Sequence, residues 1–204
     1  GYAADLIRVV EQLDLQDMVA VGWSLGAQAL LKAWPCLQDR LAGLVLVGAT
    51  PRFSAAPHFP YGLPPKEAEG MRLKVRRSFE RALEGFHRNL FVEHELADPI
   101  VAQQVTELLA QIAMPQPAAA LAGLEALMEE ELMEEAALVT CPTLLLHGEL
   151  DRVCLPEASG WLAQAIRNSQ RKLYVGCGHA LFLSRAQQFN NDLAAFVGDL
   201  HDRY

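Results

Sequence analysis

The sequence predicts an α/β fold: a parallel sheet covered on both faces, with a helical insertion in its middle. Three observations carry this. Short, nearly unbroken apolar runs at 18–21, 41–47 and 143–147 read as buried strands, because a strand covered on both sides shows no polar alternation. Helical segments follow the first and third runs, at 26–34 and 157–167, as strand–helix–strand units require. Between 51 and 138 there is only helical spacing and no strand pattern. The chain thus divides into a core segment 1–50, a helical insertion 51–138 and a second core segment 139–204.

Composition bounds the function. Of 204 residues, 51% are hydrophobic and 21% charged, and the mean hydropathy is +0.11. That excludes a disordered chain, and a chain of this size buries roughly 70% of its unfolded surface. Lys and Arg number 17 against 25 Asp and Glu, for a net charge of −8. Nucleic acid is a poor partner for such a chain, because phosphate contacts need clustered cations. No apolar run approaches the roughly 20 residues that cross a bilayer, and no leader pattern follows Gly1. Cys36, Cys141, Cys154 and Cys177 lack C-x-x-C spacing, so reduced thiols in the cytoplasm are expected.

In chain order, Leu6, Val9, Val10 and Leu13 make a helix of 2–13. Strand 18–21 stops at Gly22, and the Ala- and Leu-rich helix 26–34 leads to strand 41–47. Five prolines mark 51–65 as loop. Val75, Phe79, Ala82, Phe86 and Leu90 put one apolar face on a helix over 71–91. Helices at about 99–113 and 117–138 are separated by Met114-Pro-Gln-Pro117. Strand 143–147, loop 148–156, helix 157–167, a strand at 172–175, a turn at Gly176-Cys-Gly178 and helix 186–200 complete the chain.

Gly22-Trp23-Ser24-Leu25-Gly26 fits G-x-S-x-G between a strand and a helix. So sharp a turn strains the serine and asks its neighbours two away to lack bulk. It also aims the helix N-terminus at a developing oxyanion. A serine needs a base, and the base needs a partner to fix its tautomer. His179 follows the strand at 172–175, on the sheet edge where ligand loops gather. Asp151 lies in the loop after strand 143–147, with Glu149 its nearest competitor. Each has a plainer reading: a close-packed glycine turn, a surface histidine, a turn-capping aspartate. The order Ser24, Asp151, His179 from three separate segments favours the chemical one.

These residues resemble those of the α/β-hydrolase superfamily over the whole chain. Within it, Val21-Gly-Trp-Ser-Leu-Gly26 and Ala49-Thr-Pro-Arg-Phe-Ser54 look most like the biotin-synthesis esterases that demethylate the methyl ester of pimeloyl-acyl-carrier protein. Ala27 departs from the second glycine common in the superfamily, at little cost in a helix. The resemblance implies that the chain is the carboxyl-terminal part of a protein about 50–80 residues longer. It also implies that the missing part holds four strands and half of the oxyanion hole. The other half is expected from the N–H of Leu25.

The insertion carries Arg72, Lys74, Arg76, Arg77, Arg81 and Arg88, opposed within that stretch only by Glu80 and Glu84. From 89 to 151 there are twelve acidic residues and no Lys or Arg. Lys74, Arg77, Arg81 and Arg88 follow helical spacing and are expected on one face. One reading is a solvated face neutralised by the acidic helix at 125–135. The other is a docking surface for an acidic partner, and the resemblance implies acyl-carrier protein. Trp23, Phe53 and Phe86 are candidate walls of an acyl pocket, or plain core. No carboxylate lies at ligand spacing from a histidine in the acidic run, so no metal and no cofactor are expected.

A serine carboxylesterase with a Ser24–His179–Asp151 triad is the resulting expectation. The alternatives are a broad esterase or carbon–carbon hydrolase on the same triad, and a non-catalytic module binding an acidic partner.

Overall fold

The computed structural model describes residues 1–201. Helix α1 (Tyr2–Gln12) precedes β1 (Met18–Trp23), α2 (Leu25–Leu37) and β2 (Leu41–Val47). A helical segment follows: α3 (Pro65–Arg77), α4 (Phe79–Asn89), α5 (Pro99–Gln111), α6 (Pro117–Glu129) and α7 (Met133–Leu138). The sheet then resumes with β3 (Thr143–Gly148), α8 (Pro156–Ala165) and β4 (Ser169–Tyr174), and α9 (Leu181–Ser184) and α10 (Ala186–His201) close the chain. The strands pair in parallel in the order β1-β2-β3-β4. Among the described residues no helix is long and apolar enough to cross a membrane.

The apolar strands are apolar because both of their faces are covered. Leu44 and Leu46 of β2 and Leu145 of β3 pack with Leu31 and Trp34 of α2 and Leu162 of α8. Their alternates Val45, Val47, Leu144 and Leu146 turn the other way, onto Phe196 and Leu200 of α10. Each such side chain contributes about 1.5–3 kcal/mol of burial. β4 is an edge strand with Gln170, Arg171 and Leu173 exposed. Its polar residues hid its start, so it spans Ser169–Tyr174 and not 172–175, and Val175 is 76% exposed.

The helical segment differs from expectation in two places. The helix over 71–91 breaks at Ser78, whose φ of −157° and ψ of 81° leave the helical region. Ser78 N–H ends α3 on Lys74 O (2.9 Å), and Ser78 O accepts from Ala82 N–H (3.0 Å) to start α4. Lys74 and Arg77 therefore sit on α3 while Arg81 and Arg88 sit on α4, with no continuous helical stripe. The stretch 117–138 likewise divides into α6 and α7, where buried Leu132 donates its N–H to Pro51 O (2.9 Å). Helix α2 runs on through Pro35 because Trp34 and Leu37 are buried and Trp34 Nε1 donates to Leu138 O (3.0 Å). The single turn α9 was not expected.

Two apolar seams hold this segment over the carboxyl ends of the strands. One joins Phe53, Leu63, Ala68 and Leu127 to Val153 and Cys154, with Leu25 packed against it. The other joins Leu90, Phe91 and Val105 to Ala180, with Trp23 and Phe182 packed against it. Trp23 and Leu25 flank Ser24, so the serine lies between the seams.

Candidate active site

β1 delivers Ser24 into the turn before α2. Its φ of 54° and ψ of −117° are strained for a residue with a side chain. The strain is held by the Ser24 N–H donating to Val47 O (2.9 Å) and by Ser24 O accepting from Ala27 N–H (2.9 Å) and Gln28 N–H (3.2 Å). The N–H groups of Leu25 and Gly26 have no backbone partner among the described residues, as at any helix start. Gly22 is required here: a Cβ would lie 2.7 Å from Gly26 O and 2.8 Å from Ala27 Cα. Gly26 is not, which corrects the expectation that both glycines make room. Among the described residues a Cβ there meets nothing within 4 Å.

Asp151 and His179 meet from the loops after β3 and β4. His179 Nδ1 lies 2.7 Å from Asp151 Oδ2, and both side chains are fully buried. Asp151 Oδ1 accepts from Val153 N–H (2.8 Å) and Cys154 N–H (3.0 Å). Burial raises the affinity of Asp151 for a proton. The charge of His179 and the hydrogen bonds from His147 and His179 outweigh it, and the carboxyl stays well below its usual range. An ionised Asp151 makes Nδ1 the protonated nitrogen of a neutral His179. Nε2, buried and without a partner, is then the basic one. Glu149 points elsewhere, accepting from Gly176 N–H (2.9 Å). Among the described residues Ser24 Oγ makes no hydrogen bond to His179; it lies 4.0 Å from Cys154 Sγ.

Gly48 is the first residue after β2 and lies against the imidazole. Its φ of 53° suits glycine, and a Cβ there would lie 3.0 Å from His179 Cε1 and Nδ1. Trp23 covers another side of His179, with ring centroids 5.1 Å apart, and its Nε1 donates to His179 O (3.1 Å). Phe53 is buried in the seam with Cys154. Phe86 is 42% exposed on α4 and joins neither seam beside Ser24.

Sequence reasoning missed three neighbours. His147 Nε2 lies 2.9 Å from Cys154 O and 3.2 Å from Asp151 Oδ2, so Asp151 faces two histidines. The spacing of four residues between His147 and Asp151 is the sequence signal that could have found it. Cys154 is buried beside Ser24, and burial and the Asp151 charge push its thiol well above the usual value, so it stays neutral. Glu95, from the helical segment, is 1% exposed and carried no sequence signal.

Lys74, Arg77, Arg81 and Arg88 are all exposed. Among the described residues none makes a salt bridge, whereas Arg72 and Arg76 pair with Glu125. No group of three or more His, Cys, Asp or Glu among the described residues is arranged to hold a metal ion.

Comparison with known proteins agrees with this layout. A family model described as "alpha/beta hydrolase fold" matches residues 1–186. A pimeloyl-[acyl-carrier protein] methyl ester esterase of Nitrosospira multiformis is 29% identical over 198 residues, 97% of this chain and 74% of the relative. One of the same name from Aeromonas hydrophila is 32% identical over 87% of this chain and 69% of the relative. Among solved structures, an esterase of Exiguobacterium antarcticum superposes with a TM-score of 0.84 at 26% identity, covering 96% of this chain and 72% of that one. A bromoperoxidase of Bacillus anthracis gives 0.85 at 25% identity over the same shares, so fold neighbours with different titles share this architecture. By the extent of the family match and the identity of these relatives, the chain belongs to the alpha/beta hydrolase fold family.

Proposed function

We propose that this hydrolase is a serine carboxylesterase that removes methanol from the methyl ester of pimeloyl-acyl-carrier protein in biotin synthesis. The observation that carries the chemistry is a buried His179 whose Nδ1 is held 2.7 Å from Asp151 while its Nε2 has no partner. Such a histidine is a base waiting for a proton, and Ser24 stands on the strained turn beside it.

In this reading Ser24 Oγ attacks the ester carbonyl and His179 Nε2 takes its proton. The Ser24–His179 hydrogen bond, absent in the free protein, forms in the reacting complex, as is common for such pairs. Asp151 keeps His179 in the Nδ1–H tautomer and stabilises the imidazolium. The N–H of Leu25 donates to the oxyanion, a contribution of about 3 kcal/mol to the barrier by analogy with other oxyanion donors. The imidazolium then protonates the leaving methoxide, and methanol departs. Water, deprotonated by His179, cleaves the acyl-enzyme and releases the free carboxylate. Trp23 and Phe53, from the two seams beside Ser24, are the proposed walls for the methylene chain. The segment 51–138 is the proposed cap.

The substrate rests on the names of the relatives. Lys74, Arg77, Arg81 and Arg88, exposed and without a salt bridge among the described residues, support an acidic carrier as partner. The deciding assay compares the carrier-bound methyl ester with short p-nitrophenyl esters. Turnover of the carrier-bound ester at a much higher kcat/KM, lost in Ser24→Ala, is expected. A preference for short esters would point to a broad esterase, and function retained by Ser24→Ala would point to a binding module.

A further inference from the structure

We propose that Glu95 is a positioning residue for the reaction: its buried carboxylate latches the helical segment to the His179 loop and holds the imidazole in place. The inference rests on the reading of His179 as the base.

Glu95 sits in a one-turn 3₁₀ helix (Glu93–Leu96) whose other residues are exposed. A carboxylate buried to 1% is costly unless its oxygens are fully used. Glu95 Oε2 accepts from Val92 N–H (2.7 Å) and from Gly178 N–H (2.8 Å), and Oε1 accepts from Ser184 Oγ–H. The first bond is local and caps its own turn. The other two reach 83 and 89 residues along the chain. They land on the residue before His179 and on the end of α9.

Other contacts complete the hold. Ala180 N–H, just after His179, donates to Leu90 O (2.9 Å). His179 O accepts from Trp23 Nε1 (3.1 Å). Three successive residues of the loop are therefore fastened, the outer two to the segment 90–95. The approach is close: a Cβ on Gly178 would lie 2.8 Å from Leu90 O and 3.0 Å from Glu95 Oε2. A glutamate suits this place because its two side-chain oxygens together accept from both backbone N–H groups and the serine hydroxyl. Moving a base by about 1 Å is enough to cost about 100-fold in rate.

The test is steady-state kinetics on a short p-nitrophenyl ester, with thermal melting of each protein. Glu95→Ala, Glu95→Gln, Ser184→Ala and His179→Ala are compared with the wild type. Glu95→Ala should remain folded and lose about 10–100-fold in kcat, with KM within about twofold. Glu95→Gln should stay within about threefold of wild type, since its carbonyl accepts the two N–H bonds and its amide donates to a turned Ser184 hydroxyl. An unchanged kcat in Glu95→Ala overturns the proposal, as does a loss confined to KM. So does a loss in Glu95→Gln as large as in Glu95→Ala. If Glu95→Ala does not fold, Ser184→Ala decides: kcat at least about threefold lower at constant KM supports the latch, and a wild-type kcat overturns it. An inactive His179→Ala beside a wild-type Glu95→Ala sinks the latch alone. An active His179→Ala removes the base assignment and the latch together.

Discussion

Asp151 accepts from two backbone N–H groups and faces two histidines, and this concentration of partners has measurable consequences. Asp151→Asn should lower kcat by about 10³–10⁴-fold, because an amide stabilises the wrong tautomer of His179. A second consequence concerns acid. The folded protein holds the Asp151 proton more weakly than the unfolded chain does, so this group adds stability above the ordinary carboxylate value. That contribution begins to fall as pH drops below about 4 and is fully lost only as pH passes through the depressed value of the folded state. The melting temperature of the wild type should therefore fall more steeply than that of Asp151→Asn between about pH 5 and pH 3. Equal slopes would remove Asp151 as the source. The strained turn at Ser24 and the meeting of Asp151 with His179 were legible because each residue lies in a short motif at a strand end. His147, Cys154 and Glu95 were not. Their roles depend on how loops fold back, and Glu95 meets Gly178 only through the tertiary packing of the helical segment.

The strand–elbow–helix element makes a sharper statement about its two glycines than the motif does. Gly22 faces backbone of α2, and Gly22→Ala should cost about 1–3 kcal/mol or more through overpacking. Gly26 faces open space on the first turn of α2, and Gly26→Ala should be neutral or stabilising by up to about 1 kcal/mol. Urea unfolding of the two variants checks the pair; similar losses would contradict the geometry. The buried strands were legible for a related reason: β2 and β3 are covered on both faces, so their sequence is unbroken. The helical breaks were not. Residues 71–91 keep an acceptable period, and nothing in it marks the backbone turn at Ser78. Leu132 breaks its helix by a bond to Pro51, a partner remote in sequence.

Across the whole molecule, charge is segregated within an acidic protein. Arg72 and Arg76 are neutralised by Glu125, which leaves Lys74, Arg77, Arg81 and Arg88 on the exposed parts of α3 and α4. The acidic-helix reading thus accounts for two of the six cations and not for the four singled out from the sequence. If these four dock an acidic carrier, charge reversal at Arg77 and Arg81 should lower kcat/KM on the carrier-bound ester about tenfold more than on a short ester. Added salt should shrink that difference. Equal losses on both substrates would contradict docking. The order of core, helical segment and core was legible in the sequence from the return of strand grammar at 143–147. How the segment grips the core, through two seams on either side of Ser24, was not, because that depends on which apolar faces meet in three dimensions.

The reading of Ser24 as an activated nucleophile can be examined without knowing the substrate. The chain is incubated with a fluorophosphonate and its intact mass is read, with Ser24→Ala and His179→Ala alongside. One adduct on the wild type, absent from Ser24→Ala and much slower on His179→Ala, is the expected result. No adduct on the wild type, or an adduct that persists in Ser24→Ala, would contradict a triad centred on Ser24.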